Sequence, residues 1–360
     1  MWFDQDMNPD PIQFDPDAPA TGDGIYGLPH SPEQAAVVVI PVPWEATASY
    51  GTGTAQGPEA ILAASQQVDL YDRDTGRPYE RGIAMLPISP KIVDWNREAR
   101  AATDRLLEIS EELDDWPGAD HPEGAALTAL VNDYGARLNE WVEVTAAQWR
   151  ARGKTVAVVG GDHSVPLGAI RATARDHPGM GILHLDAHAD LRDAYMGFTY
   201  SHASIFDNVI REPAVGKLVQ VGLRDLSNAE ARAIDSSGGR IVGFFDSDLQ
   251  DRMLGGEPWN AIADEIVSAL PDTVYLSFDI DGLDPALCPN TGTPVPGGLG
   301  FAQAVRLLRT VAESGRRIVG LDLCEVSAGS DGSSEWDANV GARLLYKMIG
   351  YTLLSQAPRA

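Results

Sequence analysis

Five acidic and histidine residues occur at a spacing that suits metal chemistry. They are Asp186, His188, Asp190, Asp279 and Asp281. The first three and the last two each follow a short apolar stretch, so we interpret each set as the carboxyl end of a buried strand. Alternate side chains of a strand share a face, so two neighbouring strands would bring four carboxylates and one imidazole together. Because unpaired charges are very costly to bury, divalent cations are the simplest remedy, and four carboxylates exceed what one ion requires.

A third run, residues 158–164, contains His163 and again follows an apolar stretch. Its paired glycines allow the tight turn that would bring His163 over the sheet. Imidazole with carboxylates suits Mn²⁺ best, with Zn²⁺, Ni²⁺, Co²⁺ and Fe²⁺ as alternatives, since no thiolate demands a softer ion. Two such ions would share bridging carboxylates and lower the pKa of a bridging water. The alternative for Asp279 and Asp281 is a pair that caps a loop, and Asp284 is expected to shape that loop.

Strands must position these residues, and short β-branched runs alternate with helical patterns along the chain. The strand candidates are residues 37–40, 155–159, 181–185, 218–222, 240–245, 273–278 and 318–323. The helix candidates are residues 57–66, 98–113, 135–151, 166–176, 228–236, 258–270, 301–314 and 337–354. This alternation predicts an α/β fold with three layers, α-β-α, and a mostly parallel central sheet. Ligands bind at the carboxyl ends of the strands in such sheets, which is where the acidic residues fall.

The chain is expected to form a single domain over residues 35–360, because no linker-like change in composition divides that range. Residues 1–34 are rich in Pro, Asp and Gly, and we predict an acidic extension that lies outside the core. Residues 111–124 combine acidic residues with Pro and Gly, which suggests an insertion between two helices.

Composition limits the partners that the protein can have. The formal net charge is −25, from 52 acidic and 27 basic residues, which argues against nucleic acid or a membrane and favours a cationic or neutral small molecule. A solvated acidic surface, suited to salty surroundings, is the alternative. Cys288 and Cys324 are too few for a disulfide framework, so we expect reduced core residues. No signal-like segment and no apolar run of about eighteen residues are present, which predicts a cytoplasmic protein.

Residues 160–164, 186–190 and 277–285 together resemble the ureohydrolase family of arginases and agmatinases. The resemblance spans roughly residues 35 to 355 and implies an arginase-like fold with two Mn²⁺ ions. It implies that one ion is held by His163, Asp186, Asp190 and Asp279. It implies that the other is held by Asp186, His188, Asp279 and Asp281, so that Asp186 and Asp279 bridge. A homo-oligomer, a trimer or hexamer, is implied by the resemblance alone.

Two further residues match catalytic positions of that family. Residues 200–203 resemble the segment whose histidine relays protons to the departing amine, which would be His202, and Glu325 resembles the glutamate that binds the guanidinium. The alternatives are an exposed loop histidine and a surface acid. A guanidinium carbon is a poor electrophile, so its hydrolysis needs a metal-activated hydroxide, a carboxylate for the cation and an acid for the leaving amine. Asp190 would also orient the hydroxide.

The expected substrate follows from the loops around this set. Residues 41–61 and 190–195 look more like agmatinases than arginases, which implies hydrolysis of agmatine to putrescine and urea, a reaction of polyamine biosynthesis. Arg192 could bind a carboxylate, so a carboxylate-bearing substrate such as guanidinobutyrate is an alternative. Arginine, guanidine and formiminoglutamate are further alternatives. A non-catalytic metal-binding relative is the other class of function. The loops around Arg192, Tyr50 and Ser330 are expected to contact the substrate's tail.

Overall fold

The structure is a computed structural model that describes residues 14–20, 22–48, 50–118, 120–329, 332 and 334–358. The strands are Val37–Val42 (β1), Ile83–Met85 (β2), Thr155–Gly160 (β3), Met180–Leu185 (β4), Val215–Leu223 (β5), Ile241–Phe245 (β6), Thr273–Asp279 (β7) and Arg317–Cys324 (β8). The helices are Gly57–Ser65 (α1), Pro90–Leu113 (α2), Pro122–Arg150 (α3), Leu167–Asp176 (α4), Ile205–Ile210 (α5), Asn228–Ser236 (α6), Asp246–Leu254 (α7), Trp259–Ser268 (α8), Phe301–Glu313 (α9) and Trp336–Ser355 (α10).

All eight strands of the described residues join one parallel sheet in the order β2-β1-β3-β8-β7-β4-β5-β6. The strands β3 and β4 are consecutive along the chain, yet β8 and β7 lie between them. The loops that leave β3 and β4 therefore diverge at their carboxyl ends, and a crevice at such a switch point is the usual ligand position in open parallel sheets. The predicted α/β fold is confirmed.

Helices cover both faces of the sheet, which gives the predicted three layers. One apolar cluster joins alternate strand residues to α1, α8, α9 and α10, while two others join the opposite strand residues to α2, α3, α4 and α5. The strand β1, with its sequence VVVIPV, is apolar on both faces, because neither face meets water. Cys288 and Cys324 are buried and unbonded, as expected. No helix of the described residues combines the length and the apolar character that crossing a bilayer requires.

Several element boundaries differ from the prediction. The strand β2 and the helices α5 and α7 were not predicted, because elements this short show little periodicity. The helix α2 already begins at Pro90 and α3 at Pro122, each with proline in its first turn, where the missing N–H costs nothing. The predicted insertion at 111–124 therefore contains the end of α2 and the start of α3, and its irregular part is shorter.

The prediction that residues 1–34 lie outside the core is wrong for Ile25, Tyr26 and Leu28, which are buried. The hydroxyl of Tyr26 donates to the carbonyl oxygen of Ala342 in α10 at 3.0 Å, and the Tyr26 N–H donates to Ser65 Oγ at 2.9 Å. Apolar side chains in this Pro-rich segment and two buried hydrogen bonds fix it to the helical layer. Residues 1–13 lie outside the described residues.

Candidate active site

The predicted metal-binding residues come from the carboxyl ends of three strands. His163 follows β3, residues 186–190 follow β4, and Asp279 ends β7. The turn after β3 requires glycine at position 161, because a side chain there would collide with the carbonyl oxygen of Trp44. Asp190 adopts a left-handed backbone with φ of 54°, a conformation that is uncommon for residues with a side chain. The parallel sheet therefore brings together residues that are far apart in the sequence.

Three carboxylates surround one ring nitrogen of His163. Its Nδ1 lies 3.1 Å from Asp186 Oδ2, 3.3 Å from Asp279 Oδ2 and 3.6 Å from Asp190 Oδ2. All four side chains are at most 6% exposed. A ring nitrogen carries at most one hydrogen, so it can satisfy only one of the three carboxylates, whereas a cation could be shared by all. We call His163, Asp190 and Asp279 the inner group.

A second histidine lies on the other side of Asp186. The Nδ1 of His188 is 3.1 Å from Asp281 Oδ2 and 3.4 Å from Asp186 Oδ1, and its side chain is 23% exposed. We call His188 and Asp281 the outer group. Asp186 directs one oxygen to each histidine, so the inner and outer groups meet at this carboxylate. The six residues predicted as metal ligands thus lie together.

Burial and the neighbouring charged residues shift the pKa values of the carboxyl groups in this cluster. Burial and the negative charges of Asp281 and Asp186 raise the pKa of Asp279 well above its usual value, and burial and Asp186 do the same for Asp190. Burial also acts to raise the pKa of Asp186, but His184, His163 and His188 outweigh it and hold that pKa well below the usual value. Oxygen and imidazole donors with an excess of buried acid fit hard or borderline divalent cations.

A layer of polar residues behind the histidines was not predicted. The hydroxyl of Ser277 donates to Asp322 Oδ1 at 2.9 Å, so its oxygen accepts a hydrogen from His163 Nε2 at 3.0 Å. This leaves Nδ1 of a neutral His163 with its lone pair toward the carboxylates, which is the tautomer that a metal ligand needs. The sequence signal was weak, because Ser277 and Asp322 read as ordinary strand residues.

A third histidine, His184, supports Asp186 from inside β4. The side-chain amide of Gln220 donates to His184 Nδ1 at 2.9 Å, so His184 Nε2 carries the hydrogen and donates to Asp186 Oδ2 at 2.8 Å. His184 is fully buried and stands two residues before Asp186 on the same strand face. That spacing was a usable signal for its position near the site.

The predicted catalytic histidine, His202, lines a cavity of about 170 Å³ together with His188 and Asp190. Its Nδ1 lies 3.3 Å from the hydroxyl oxygen of Thr47. Burial, with a contribution from the charge of His188, lowers the pKa of His202 to about 4. Burial therefore favours the neutral form of the His202 ring.

The predicted guanidinium-binding residue, Glu325, lies beside His163. One of its carboxylate oxygens accepts the backbone N–H of His163 at 2.9 Å, and its backbone has a φ of 62°. Burial and the charges of Asp279 and Asp162 raise the pKa of Glu325 well above its usual value. Among the described residues that line the 170 Å³ cavity, Glu325 is absent. Ser330, which was predicted to contact the substrate's tail, lies outside the described residues.

Known proteins share this sequence pattern and this fold. A sequence model of the Arginase family matches residues 35–350. An N(1)-aminopropylagmatine ureohydrolase from Thermus thermophilus is 34% identical over 328 residues, which cover 91% of this chain and 94% of that one. A guanidinobutyrase from Pseudomonas aeruginosa is 31% identical, covering 86% and 84%. The structure of proclavaminate amidinohydrolase from Streptomyces clavuligerus superposes with a TM-score of 0.70 at 23% identity, over 94% of this chain and 99% of that one.

Proposed function

This chain belongs to the arginase family and is a ureohydrolase, a hydrolase of guanidino compounds, and we propose that His163, Asp186, His188, Asp190, Asp279 and Asp281 hold two metal ions for that reaction. The supporting observation is that the two carboxylate oxygens of Asp186 lie next to different histidines, Oδ2 next to His163 and Oδ1 next to His188. Manganese suits the imidazole and carboxylate donors. When bound, a pair of divalent ions supplies Lewis acidity and lowers the pKa of bound water toward neutrality.

The remaining residues position the substrate and move protons. Asp190, on the cavity wall, accepts a hydrogen bond from the attacking water and orients it. The carboxyl group of Glu325 receives the guanidinium, whose positive charge offsets the neighbouring acids that raise its pKa. His202 takes up the proton that the attacking water releases and donates it to the nitrogen that leaves, so that the products are urea and an amine.

The charges at the cavity mouth favour a substrate with a cationic tail. Asp225 is exposed on the cavity wall, and among the described residues no Lys or Arg nitrogen lies within 4.0 Å of its carboxylate. Arg192 lines the same cavity, but its guanidinium stacks over Tyr195 at 5.0 Å and its Nε lies 3.7 Å from Glu230 Oε2. The negative charge of Asp225 is therefore available to a ligand, whereas the positive charge of Arg192 is partly offset by Glu230.

An amine-terminated guanidine, agmatine or its N-aminopropyl derivative, fits these charges better than guanidinobutyrate. The name of the Thermus thermophilus relative records an aminopropylagmatine substrate. Arg192 and the guanidinobutyrase relative support the second candidate, a substrate whose tail carries a carboxylate.

Urea release by the purified, Mn²⁺-loaded protein tests the proposal. We expect kcat/KM for agmatine or N-aminopropylagmatine to exceed that for guanidinobutyrate by at least about 10-fold, the effect of one charge-assisted contact. Faster hydrolysis of guanidinobutyrate would contradict the cationic tail and assign Arg192 as its anchor. If the metal-loaded protein releases no urea from agmatine, N-aminopropylagmatine, guanidinobutyrate or arginine, the proposed reaction itself is contradicted.

A matched pair of variants tests the role of Asp225. Asp225→Asn is expected to raise KM for agmatine about 10-fold, because it removes one charge-assisted contact. Asp284→Asn removes the same charge from an exposed loop, where Asp284 caps Ala286 at 2.8 Å, and is expected to leave KM unchanged. Equal effects of the two variants would show that general charge, and not a contact, attracts the substrate.

A further inference from the structure

A hydrogen-bonded chain of three side chains leads from the end of β3 to the cavity. The hydroxyl oxygen of Thr47 lies 3.3 Å from Asp162 Oδ2 and 3.3 Å from His202 Nδ1, and it also lies 3.4 Å from the backbone nitrogen of His202. Thr47 and Asp162 are 2% and 1% exposed. Neither residue belongs to the inner or the outer group, so a role in holding metal does not explain why these two polar side chains are buried beside the cavity.

The loop that carries Thr47 is fixed from two sides. The hydroxyl of Thr103 in α2 donates to the carbonyl oxygen of Ala46 at 2.7 Å, and the guanidinium of Arg100 donates to that of Ala48. On the other side, the N–H of Asp162 donates to the carbonyl oxygen of Trp44 at 2.7 Å. The position of the Thr47 hydroxyl between Asp162 and His202 is thus set by the fold.

The number of hydrogens determines the direction of each bond. A threonine hydroxyl has one hydrogen and two lone pairs, and Thr47 has three partners. The hydroxyl of Thr47 donates to Asp162 Oδ2, while Asp162 Oδ1 accepts the N–H of Ser164 at 3.0 Å and the Ser164 hydroxyl. Asp162 therefore accepts the hydrogen of Thr47, and the two lone pairs of Thr47 accept the backbone N–H and the Nδ1–H of His202.

We propose that Thr47 and Asp162 are positioning residues that fix His202 in the tautomer with hydrogen on Nδ1, leaving Nε2 as the nitrogen that exchanges protons in the cavity. This inference rests on the proposed role of His202 in the hydrolysis. The hydrogen-bonded chain also affects the protonated form of His202. When Nε2 takes up a proton, the imidazolium keeps its Nδ1–H bond to Thr47, and the hydroxyl of Thr47 keeps its own hydrogen bond to Asp162.

Two variants of Thr47 separate the hydroxyl from the shape of the side chain. Thr47→Val keeps the shape and removes the hydroxyl, and we expect kcat to fall by about 10-fold or more while KM changes less than about twofold. Thr47→Ser keeps the hydroxyl and should restore most of kcat. A Thr47→Val enzyme with wild-type kcat, or a Thr47→Ser enzyme as slow as Thr47→Val, would overturn the proposal.

The tautomer itself can be measured without turnover. In Zn²⁺-loaded protein labelled with ¹⁵N in its seven histidine rings, the His202 signals are those missing from the His202→Asn spectrum. We expect a protonated Nδ1 in the wild-type protein and a loss of this preference in Thr47→Val and Asp162→Asn. A protonated Nε2 in the wild-type protein would overturn the proposal even if urea is released. A protonated Nδ1 in a protein that releases no urea would support the proposed hydrogen-bonded chain of Asp162, Thr47 and His202 and contradict only the proposed reaction.

Discussion

His163 and His188 direct the same ring nitrogen toward carboxylates, yet their surroundings differ. His163 is 1% exposed and its second nitrogen donates to Ser277, whereas His188 is 23% exposed and forms part of the cavity wall. His163 is thus held by buried polar residues, while His188 adjoins the space that a substrate enters, a space that Asp190 of the inner group also lines. We infer that the inner position is built to retain an ion and the outer position to give the substrate access to one.

The largest effect on metal binding and activity is expected at Asp186, because this residue contacts both histidines and is shared by the inner and outer positions. Asp186→Asn should remove both metals and lower kcat/KM for urea release by at least about 10³-fold, because metal ions stabilise the transition state by several kcal/mol. Metal content per subunit, measured by mass spectrometry, and urea release test this. Asp284→Asn is the control, and two ions retained in Asp186→Asn would contradict the shared role.

The two histidines should differ in their effect on the stability of the metal-free protein. His163→Ala is expected to lower the free energy of unfolding by about 3 kcal/mol, because it leaves three buried carboxylates without the ring that they contact in the metal-free protein. His188→Ala should lower it by about 1 kcal/mol, since solvent screens the more exposed pair. Urea denaturation of both variants measures the difference. Equal losses would show that exposure does not distinguish the two positions.

Removal of the support behind His163 should weaken one metal position selectively. Asp322→Asn weakens the acceptor that fixes Ser277, so affinity for the inner ion is expected to fall about 10-fold, as is typical of groups that orient a metal ligand. Competition for Zn²⁺ with a coloured chelator can resolve the two affinities. An equal fall at both positions would mean that the inner and outer groups do not bind independently.

The smallest effect is expected at the outer position. The hydroxyl of Thr293 lies 3.5 Å from Asp281 Oδ2, at the limit of a hydrogen bond. Thr293→Val should therefore change affinity for the outer ion by less than about threefold. The same chelator competition measures it, and a larger fall than that of Asp322→Asn would reverse the comparison.

The sequence was most informative where chemistry and local pattern coincided. Asp186 and Asp279 follow apolar strands at a spacing of two from the next acidic or histidine residue, so their face of the sheet could be predicted. Asp322 and Asp225 carried no such signal, because their contacts arise from strand order and from loops that the sequence does not specify locally. The metal ligands, the Mn²⁺ ions, the trimer or hexamer and the cytoplasmic location remain predictions.

The order of the strands has a consequence for biosynthesis. His163 and Asp186 become available soon after each other as the chain is made, but β7 and β8 must insert between β3 and β4 before the sheet that holds them is complete. The predicted metal-binding cluster therefore cannot form until β8, about 130 residues after β4, has left the ribosome. A nascent chain would expose the apolar edges of β3 and β4 throughout this interval, so we expect it to depend on chaperones.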